Sequence, residues 1–319
     1  MKIVDIKTRV FEVPFIKPIT VKGHKVGARP VAVIELEDDD GYTGLGEIAP
    51  LPYLHKESFE QAIENFREIK QQFMAQHIVS DMFPSVANAI DVALYDLSTK
   101  QPDFSIMSGR LTLSVNGLLV RDTDDISRSL EDMLNAGFTS VKIKVGGCSL
   151  KDDIEIVQQL TEIADGRAKL RLDANRQWSL EDALKFAKAA SSETIEYIEE
   201  PIEDISDLPR FIKKSPIPAA LDETLVEQGM SYAADIPNIK AWILKPSLIG
   251  GLKKCRTLIK YARKTNITPV ISSVFETSVS IRIYALFAIK MGLAGTEHGL
   301  DTLKFIQADT LPDPVKIED

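Results

Sequence analysis

Five charged residues stand at nearly regular intervals in the middle of the sequence, namely Lys144, Asp173, Glu199, Asp222 and Lys245. Successive members are 29, 26, 23 and 23 residues apart, which is close to the length of one βα unit each. Three carboxylates without a cysteine or a histidine cluster form an oxygen-only ligand set, which suits Mg²⁺ or Mn²⁺ better than Zn²⁺. The pattern therefore predicts a divalent metal site with two lysines that handle a proton.

This combination of charges suits the removal of a proton next to a carboxylate. A bound divalent ion can hold the substrate carboxylate and neutralise the enediolate that forms when the α-proton leaves. A lysine that takes the proton must be neutral, and burial or a nearby cation lowers its pKa. Lys142 lies two residues before Lys144 and points to the same side of an extended strand, so we expect it to supply that cation. Lys245 is expected to approach from the opposite side.

The elements that carry these residues are predicted from the alternation of apolar runs and amphipathic segments after residue 111, which indicates repeated βα units. The eight expected strands begin at residues 111, 140, 169, 195, 218, 239, 268 and 295. Seven intervening segments read as helices, and no strong helix follows the eighth strand. Eight consecutive units favour a closed barrel over an open sheet, and a barrel brings the five charged residues to one mouth.

The first hundred residues have a different pattern. Residues 2–14 and 29–49 read as antiparallel strands, and the string DDDGYTG marks a turn within the second range. The segment at 17–28 contains glycines, a proline and several cations, so it reads as a mobile loop. Two helices are expected, at 57–76 and from Pro84 to about residue 99.

These patterns divide the chain into three predicted parts. Residues 1–105 form an α+β capping domain and residues 106–301 form the barrel. The short Pro-rich tail at 302–319 is expected to run back over the capping domain.

Composition excludes several classes of protein. The 319 residues are 44% apolar and 27% charged, as in folded globular domains, and the net charge of −9 disfavours nucleic-acid binding. Two cysteines, Cys148 and Cys255, are too few for a disulfide framework. The sequence contains no signal-peptide pattern and no uncharged apolar run of membrane-spanning length. We expect a cytoplasmic protein that acts on a small molecule, without nucleic-acid or membrane partners and with an oligomeric state that the sequence does not predict.

Specific motifs add a family resemblance. The strings VKIKVG, RLDANRQW, YIEEP, LDETL and LKPSLIGG occur in this order, and together they resemble the enolase superfamily in its muconate-lactonizing subgroup. The resemblance implies an α/β fold, a modified TIM barrel (β/α)7β, with an α+β capping domain formed by the N-terminal region and the C-terminal tail. It also implies that Lys144 and Lys245 are the acid/base pair and that Asp173, Glu199 and Asp222 bind Mg²⁺.

Further strings are similar to the o-succinylbenzoate synthase family: GEIAPLP, FPSVANA, ISS and GLDTL. That likeness implies a lyase of menaquinone biosynthesis that dehydrates 2-succinyl-6-hydroxy-2,4-cyclohexadiene-1-carboxylate through an enediolate. Lys144 would remove the α-proton and then protonate the departing hydroxyl, while Lys245 would stay cationic. The loop at 17–28 would close over the substrate. Further substrate contacts are implied at Lys142 and at Arg171 and Asn175, which match residues beside the metal. Ser272, Ser273 and Gly299 match positions that hold the succinyl end of the substrate.

Two alternatives remain open at this point. A dipeptide epimerase or N-acylamino acid racemase of the same superfamily also needs two lysines facing one α-carbon. Dipeptide epimerases resemble one another in an Asp-x-Asp near the eighth strand, whereas this chain has Glu297 and Asp301 at a different spacing. The alternative of another class is a non-catalytic barrel that binds a metal or a partner protein. Within either function, Arg171 could instead be an interior ion partner, and the serines could be caps or turns.

Overall fold

The fold is described by a computed structural model that covers residues 2–75, 81–101, 112–121 and 125–316. A three-stranded antiparallel sheet, in the order β1-β2-β3, contains β1 (Ile3–Val21), β2 (His24–Asp38) and β3 (Thr43–Ile48). A seven-stranded parallel sheet contains β4 (Gly117–Leu119), β5 (Ser140–Lys144), β6 (Lys169–Asp173), β7 (Ile195–Glu199), β8 (Ala219–Leu221), β9 (Ile239–Leu244) and β10 (Thr268–Ile271). The helices are α1 (Phe59–Met74), α2 (Pro84–Thr99), α3 (Ile126–Asn135), α4 (Leu150–Ala164), α5 (Leu180–Ala189), α6 (Leu208–Lys214), α7 (Glu223–Ala234), α8 (Pro246–Ile249), α9 (Leu252–Lys264) and α10 (Ser278–Lys290).

The parallel sheet curls into a barrel because each strand pairs with the next one along the chain, from β4 to β10. The segment around His298 closes it. Isolated parallel bridges join Val115 to His298 on one side and Ser272 to Gly299 on the other. The predicted modified TIM barrel with an α+β cap is confirmed, although its eighth strand consists only of these bridges.

The first barrel strand lies further along the chain than predicted. The expected strand at 111–115 contributes only the bridge at Val115, and residue 111 lies outside the described residues. The observed strand β4 begins at Gly117, which pairs with Val141 of β5. Leu119 of β4 is buried in the barrel core, so burial favours the strand at this later position.

The predicted mobile loop at 17–28 is instead the tip of a β-hairpin, so that prediction is wrong. Strands β1 and β2 pair up to Val21 opposite His24. Lys22 and Gly23 have φ angles of 44° and 84°, which is the left-handed geometry of a two-residue hairpin turn. Pro18 is tolerated because β1 is an edge strand, where a missing N–H breaks no ladder.

The two helices predicted in the capping domain are confirmed. Helix α1 begins after a capping box, since Ser58 Oγ accepts the Gln61 N–H and the Gln61 side chain accepts the Ser58 N–H. Helix α2 begins at Pro84, where the missing N–H would have had no partner inside the helix. No helix in the described part of the chain is long and apolar enough to cross a membrane.

The cap packs on the mouth of the barrel. Phe15, Val21 and Val26 of the hairpin share a hydrophobic cluster with Val274, which follows β10. The C-terminal segment also meets the hairpin, because Phe15 bridges to Ile306 and the Gln307 N–H donates to the Pro14 carbonyl at 2.8 Å. The predicted boundary at 105/106 lies outside the described residues, and the division into three parts stays a prediction.

Candidate active site

The five regularly spaced residues lie side by side at the carboxyl end of the barrel. Lys144, Asp173 and Glu199 are the last residues of β5, β6 and β7, and the register pairs Lys144 with Asp173 and Asp173 with Glu199. Asp222 and Lys245 directly follow β8 and β9. The parallel register therefore brings together the residues that the spacing singled out, at the barrel face where active sites form.

Lysines and carboxylates alternate within this site. Lys142 Nζ lies 2.8 Å from Asp173 Oδ2 and 2.5 Å from Glu199 Oε2. Lys245 Nζ pairs with Asp222 Oδ2. All three carboxylates are buried, so the ammonium groups compensate charges that would otherwise be costly to remove from water.

Burial and like charge shift the pKa values of the site. Burial raises the pKa of Glu199 to about 7, and the charges of Asp173 and Asp222 act in the same direction against the Lys142 ammonium. Burial alone would lower the pKa of Lys245, but the carboxylates of Asp222, Glu223 and Asp173 together outweigh it and the pKa rises above its ordinary value. The pKa of Lys142 is raised for the same reason, because its carboxylate neighbours outweigh the effect of burial. Lys142 and Lys245 are therefore cations here.

Lys144 differs from the other two lysines. Its side chain is exposed, and it has no hydrogen bond or ion pair within the described ranges of the chain. Its amine is thus available to a substrate in the barrel mouth. The expected role of Lys142 as a cation that acts on Lys144 stays a prediction.

The three carboxylates fit a divalent cation in their donor chemistry. Asp222 Oδ1 is buried and has no hydrogen-bond partner, so one ligand atom is left to bind a cation. The carboxylates of Asp173 and Glu199 already face the positive charge of Lys142. A hard ion such as Mg²⁺ prefers an oxygen-only set of this kind.

A more compact acidic group occurs elsewhere, in the turn between β2 and β3. Carboxylate oxygens of Asp38, Asp39 and Asp40 lie within 4.8 Å of one another, which sets them apart among the described residues. The Asp38 carboxylate accepts the N–H groups of Asp40 and Tyr42, so it caps the turn.

Glu200 supports the site and was not assigned from the sequence. Its Oε1 accepts the backbone N–H groups of Asp222 and Thr224, both at 2.8 Å. Its Oε2 accepts the Thr224 hydroxyl at 2.7 Å and Arg176 Nε at 2.9 Å. The doubled acid in the YIEEP motif was the available signal, because only its first glutamate can end strand β7 pointing into the barrel.

Asn175 and Glu223 form a second support. The Asn175 N–H donates to Asp173 Oδ1 at 3.2 Å, and its side-chain amide donates to Glu223 Oε1 at 3.1 Å. Glu223 Oε2 is buried without a partner. The structure thus places Asn175 beside the metal ligand, as predicted, while its contact with substrate stays a prediction.

Arg171 lies below Asp173 on the same face of β6 and is almost fully buried. Its Nε donates to Glu196 Oε2 at 2.7 Å, and its Nη1 donates to the Glu297 carbonyl at 2.6 Å. The guanidinium also stacks over the Tyr197 ring, 5.3 Å from its centre. These contacts agree with the interpretation of Arg171 as an interior ion partner, and its contact with substrate stays a prediction.

The predicted contacts for the substrate's far end come together beside β10. Ser272 Oγ and Ser273 Oγ donate to the Gly299 carbonyl at 3.3 Å and 3.1 Å. A Cβ at Gly299 would lie 2.5 Å from Ser272 Oγ, so this close approach requires a glycine. Their role in binding substrate stays a prediction.

Comparisons with known proteins decide the family. The sequence family described as "Enolase C-terminal domain-like" matches residues 125–319, and the one described as "MenC, N-terminal domain" matches residues 5–97. An o-succinylbenzoate synthase from Aliivibrio salmonicida is 31% identical over 94% of this chain and 91% of its own length. The chain belongs to the o-succinylbenzoate synthase family of the enolase superfamily. The resemblance drawn from the motifs is therefore confirmed.

Solved structures agree on the fold. A substrate-liganded L-Ala-D/L-Glu epimerase from Bacillus subtilis matches with a TM-score of 0.84 and 22% identity, covering 97% of this chain and 92% of that one. An o-succinylbenzoate synthase from Thermosynechococcus elongatus, with Mg in its active site, matches with a TM-score of 0.80 and 22% identity, covering 97% and 96%. At this identity they establish the fold alone.

Proposed function

We propose that this chain catalyses the Mg²⁺-dependent syn dehydration of 2-succinyl-6-hydroxy-2,4-cyclohexadiene-1-carboxylate to 2-succinylbenzoate, a step of menaquinone biosynthesis. One observation carries the proposal, namely the 31% identity to a synthase over 94% of the chain. The substrate is a small carboxylate, and the chain works in the cytoplasm.

Lys144 is the catalytic base in this proposal. Its exposed amine takes the proton α to the ring carboxylate and then returns it to the departing hydroxyl. One lysine can serve both steps because the proton and the hydroxyl leave from the same face in a syn elimination. A C–H and a C–O bond break, a ring double bond forms, and water leaves. The gain in aromaticity drives the second step.

Lys245 faces the reacting carbon from the opposite side as a cation. Its ion pair with Asp222 holds the ammonium in place at the end of β9. A fixed positive charge at this point stabilises the negative charge that develops on the substrate carboxylate once the proton has left. Lys144 and Lys245 thus have different roles, one as the base and the other as an electrostatic partner.

Asp173, Glu199 and Asp222 would hold the metal ion, with Asn175 beside it. When bound, Mg²⁺ supplies positive charge to the substrate carboxylate, and Mn²⁺ suits the same oxygen donors. The buried and unpartnered Asp222 Oδ1 supports this assignment. Lys142, which now faces Asp173 and Glu199, would line the carboxylate end of the substrate.

The succinyl end would lie against Ser272, Ser273 and Gly299. Their position at the barrel mouth, where the hairpin packs on Val274, supports this placement. The hairpin tip at residues 17–28 would cover the substrate. Arg171 would stabilise the strand that carries Asp173 through its interior ion pairs.

A dipeptide epimerase is the second candidate, because an epimerase structure matches with a TM-score of 0.84. An epimerase of this kind needs free carboxylates near the eighth strand for the substrate's α-ammonium. Here the Glu297 side chain pairs with Arg171, and Asp301 Oδ2 accepts the Leu118 N–H at 3.1 Å and pairs with Lys304. Both acids are engaged, which favours the synthase.

An ultraviolet assay with the diene substrate tests the proposal directly. We expect rapid loss of the diene absorbance with Mg²⁺, no loss with a chelator, and no loss with the Lys144→Ala variant. No turnover by a folded protein saturated with Mg²⁺ would contradict the synthase assignment. In that case, deuterium incorporation at the α-carbon of dipeptides or N-acyl amino acids would identify an epimerase or racemase.

A further inference from the structure

The segment that carries the two serines is held by side chains of the capping domain. We call residues Ser272–Thr277, between β10 and α10, the serine segment. Arg29 of β2 donates from Nη1 to the Val274 carbonyl at 2.5 Å. Glu47 of β3 accepts the Thr277 N–H at 3.1 Å and its hydroxyl at 2.9 Å. The capping domain thus holds the segment at two points, Val274 and Thr277.

Glu47 adds to the local cap of α10, in which Thr277 Oγ1 accepts the Val279 N–H. Its Oε1 accepts the N–H of Ser280 at 3.0 Å, in the first turn of α10. The first N–H groups of a helix have no partner within the helix, and a negative charge there is favourable. A residue of the capping domain therefore helps to hold the start of α10, directly after the serine segment.

Glu276 connects the serine segment to the catalytic side of the barrel. It accepts the Val274 N–H and also the Ser247 hydroxyl, the latter at 2.6 Å. Ser247 lies two residues after Lys245. The conformation of the segment is therefore tied both to the cap and to the strand end that carries a proposed catalytic lysine.

The middle of the segment is strained. Phe275 has a φ angle of 58°, a left-handed conformation that a bulky residue adopts only when its surroundings impose it. Its ring meets Phe15 of β1 edge to face, with ring centres 5.7 Å apart. A third contact with the cap thus supports a backbone conformation that the segment would not adopt alone.

Arg29 contacts the serine segment at the Val274 carbonyl. The residue is fully buried, so it does not line the open site, and its Nε and Nη2 have no hydrogen-bond partner. A buried guanidinium with two unpaired donors is unfavourable for folding. The nearby carboxylates of Glu276 and Glu47 act electrostatically on this guanidinium, so Arg29 joins both acids and the Val274 carbonyl in one buried network that holds the segment.

We propose that Arg29 and Glu47 are positioning residues, which hold the serine segment from the capping domain and thereby set the binding of the substrate's succinyl end. This proposal rests on the proposed synthase function. The proposal assigns part of the substrate specificity to the antiparallel sheet of the capping domain, although none of the proposed catalytic residues lies in that sheet.

Steady-state kinetics of the Arg29→Met variant test the proposal. We expect KM to rise about 10-fold while kcat changes by less than about threefold, because Lys144 and Lys245 are untouched. The Arg29→Lys variant can still donate to Val274 and should recover most of the loss. Glu47→Gln keeps an acceptor but loses the charge, so it should have a smaller effect in the same direction.

The matched control is Arg282→Met, which removes a different ion pair between cap and barrel. Arg282 Nη2 lies 2.6 Å from Asp96 Oδ1, and among the described residues its side chain has no hydrogen bond or ion pair with the serine segment. We expect its KM to stay within about twofold of wild type. A comparable rise of KM in this variant, or a fall of kcat without a change of KM in Arg29→Met, would overturn the proposal.

Hydrogen exchange of the ligand-free protein gives a readout that does not depend on turnover. The amides of Val274 and Thr277 should exchange faster in Arg29→Met than in wild type, and at the wild-type rate in Arg282→Met. Unchanged exchange in Arg29→Met would show that the residue does not hold the segment. If the wild type shows no synthase activity, the proposed function fails, while the exchange rates still decide whether the cap holds the segment.

Discussion

Lys142 lies between two predicted metal ligands, with its Nζ 2.8 Å from Asp173 Oδ2 and 2.5 Å from Glu199 Oε2. The ammonium thus occupies the place where the two carboxylates would otherwise repel each other. The two buried carboxylates need a nearby positive charge, and Lys142 supplies it when no metal ion is bound. The stability of the ligand-free protein should therefore depend on Lys142.

Lys142→Met should destabilise the protein most when no metal is present. Removing one partner of a buried ion pair leaves an uncompensated charge and costs about 3–5 kcal/mol. We expect the free energy of unfolding in urea to fall by this amount with a chelator, and by clearly less with Mg²⁺. Lys151→Met, which removes an exposed pair with Glu155, is the control. The same deficit with and without Mg²⁺ would contradict the assignment of the metal ligands.

Lys144→Ala should abolish turnover and leave the fold intact. Loss of a general base costs about 10²–10⁴-fold in rate, whereas an exposed side chain contributes less than about 0.5 kcal/mol to stability. Initial rates and urea unfolding measure the two effects separately. Lys260→Ala, at an exposed position of α9, should keep wild-type activity. Full activity of Lys144→Ala would refute the proposed base.

Glu200→Gln should weaken Mg²⁺ binding although Glu200 is not itself a predicted ligand. The glutamine can still accept the Asp222 N–H, but it loses the charge that faces Arg176. Partners of metal ligands typically contribute 10- to 100-fold in affinity, so we expect Kd to rise about 10-fold in calorimetric titrations. Glu227→Gln removes the exposed partner of the same arginine and should bind Mg²⁺ normally. Equal affinities of both variants would argue against a positioning role.

Gly299→Ala should impair substrate binding because the new methyl group would lie 2.5 Å from Ser272 Oγ. The serine or the backbone has to move, and overpacking of this kind costs about 1–3 kcal/mol. We expect KM to rise and kcat to change less. Gly295→Ala places a methyl group where nothing lies within 4 Å, so its kinetics should match wild type. An unaltered KM in Gly299→Ala would remove Gly299 and Ser272 from the proposed binding site.

His298 should make the barrel less stable in acid. Its Nδ1 accepts the Ile271 N–H at 2.9 Å, and burial lowers its pKa from 6.5 to about 4. At a pH between these two values, the unfolded chain binds a proton that the folded chain does not. The free energy of unfolding therefore decreases as the pH falls. The loss should approach about 3 kcal/mol by pH 4.

The comparison with His298→Asn isolates this contribution, because asparagine can accept the same N–H without titrating. Other acidic and basic groups are present in both proteins and cancel in the difference. Urea unfolding at several pH values should show the advantage of wild type over the variant shrinking from pH 6.5 to pH 4. A difference that is constant across this range would mean that His298 stays neutral in the unfolded chain or is charged in the folded one.

The sequence predicted the barrel and its five charged residues because a parallel register translates regular spacing into spatial proximity. The positions of Lys144, Asp173 and Glu199 could be predicted from the ends of three apolar runs, without knowledge of side-chain contacts. Prediction was less successful where one contact decides the outcome. The hairpin at 17–28 depends on two left-handed residues at its tip, and its composition resembles that of a loop.

Sequence patterns also could not predict contacts between residues that are far apart in the chain. Glu47 contacts Thr277, and Glu200 contacts Thr224, through hydrogen bonds that no periodicity encodes. The ion pairs of Arg171 with Glu196 and Glu297 were likewise not predictable from the sequence. Burial and pairing arise from the tertiary fold, so no sequence pattern predicts these contacts.

The closure of the barrel by the bridges at His298 and Gly299 has a consequence for biosynthesis. Until these residues have left the ribosome, β4 has one unpaired edge and β10 has another, and open edges invite wrong pairing. Chains are made from the N-terminus, so the sheet stays open for most of translation. The nascent protein should therefore depend on protection of these edges, and its active site should be completed in one late step.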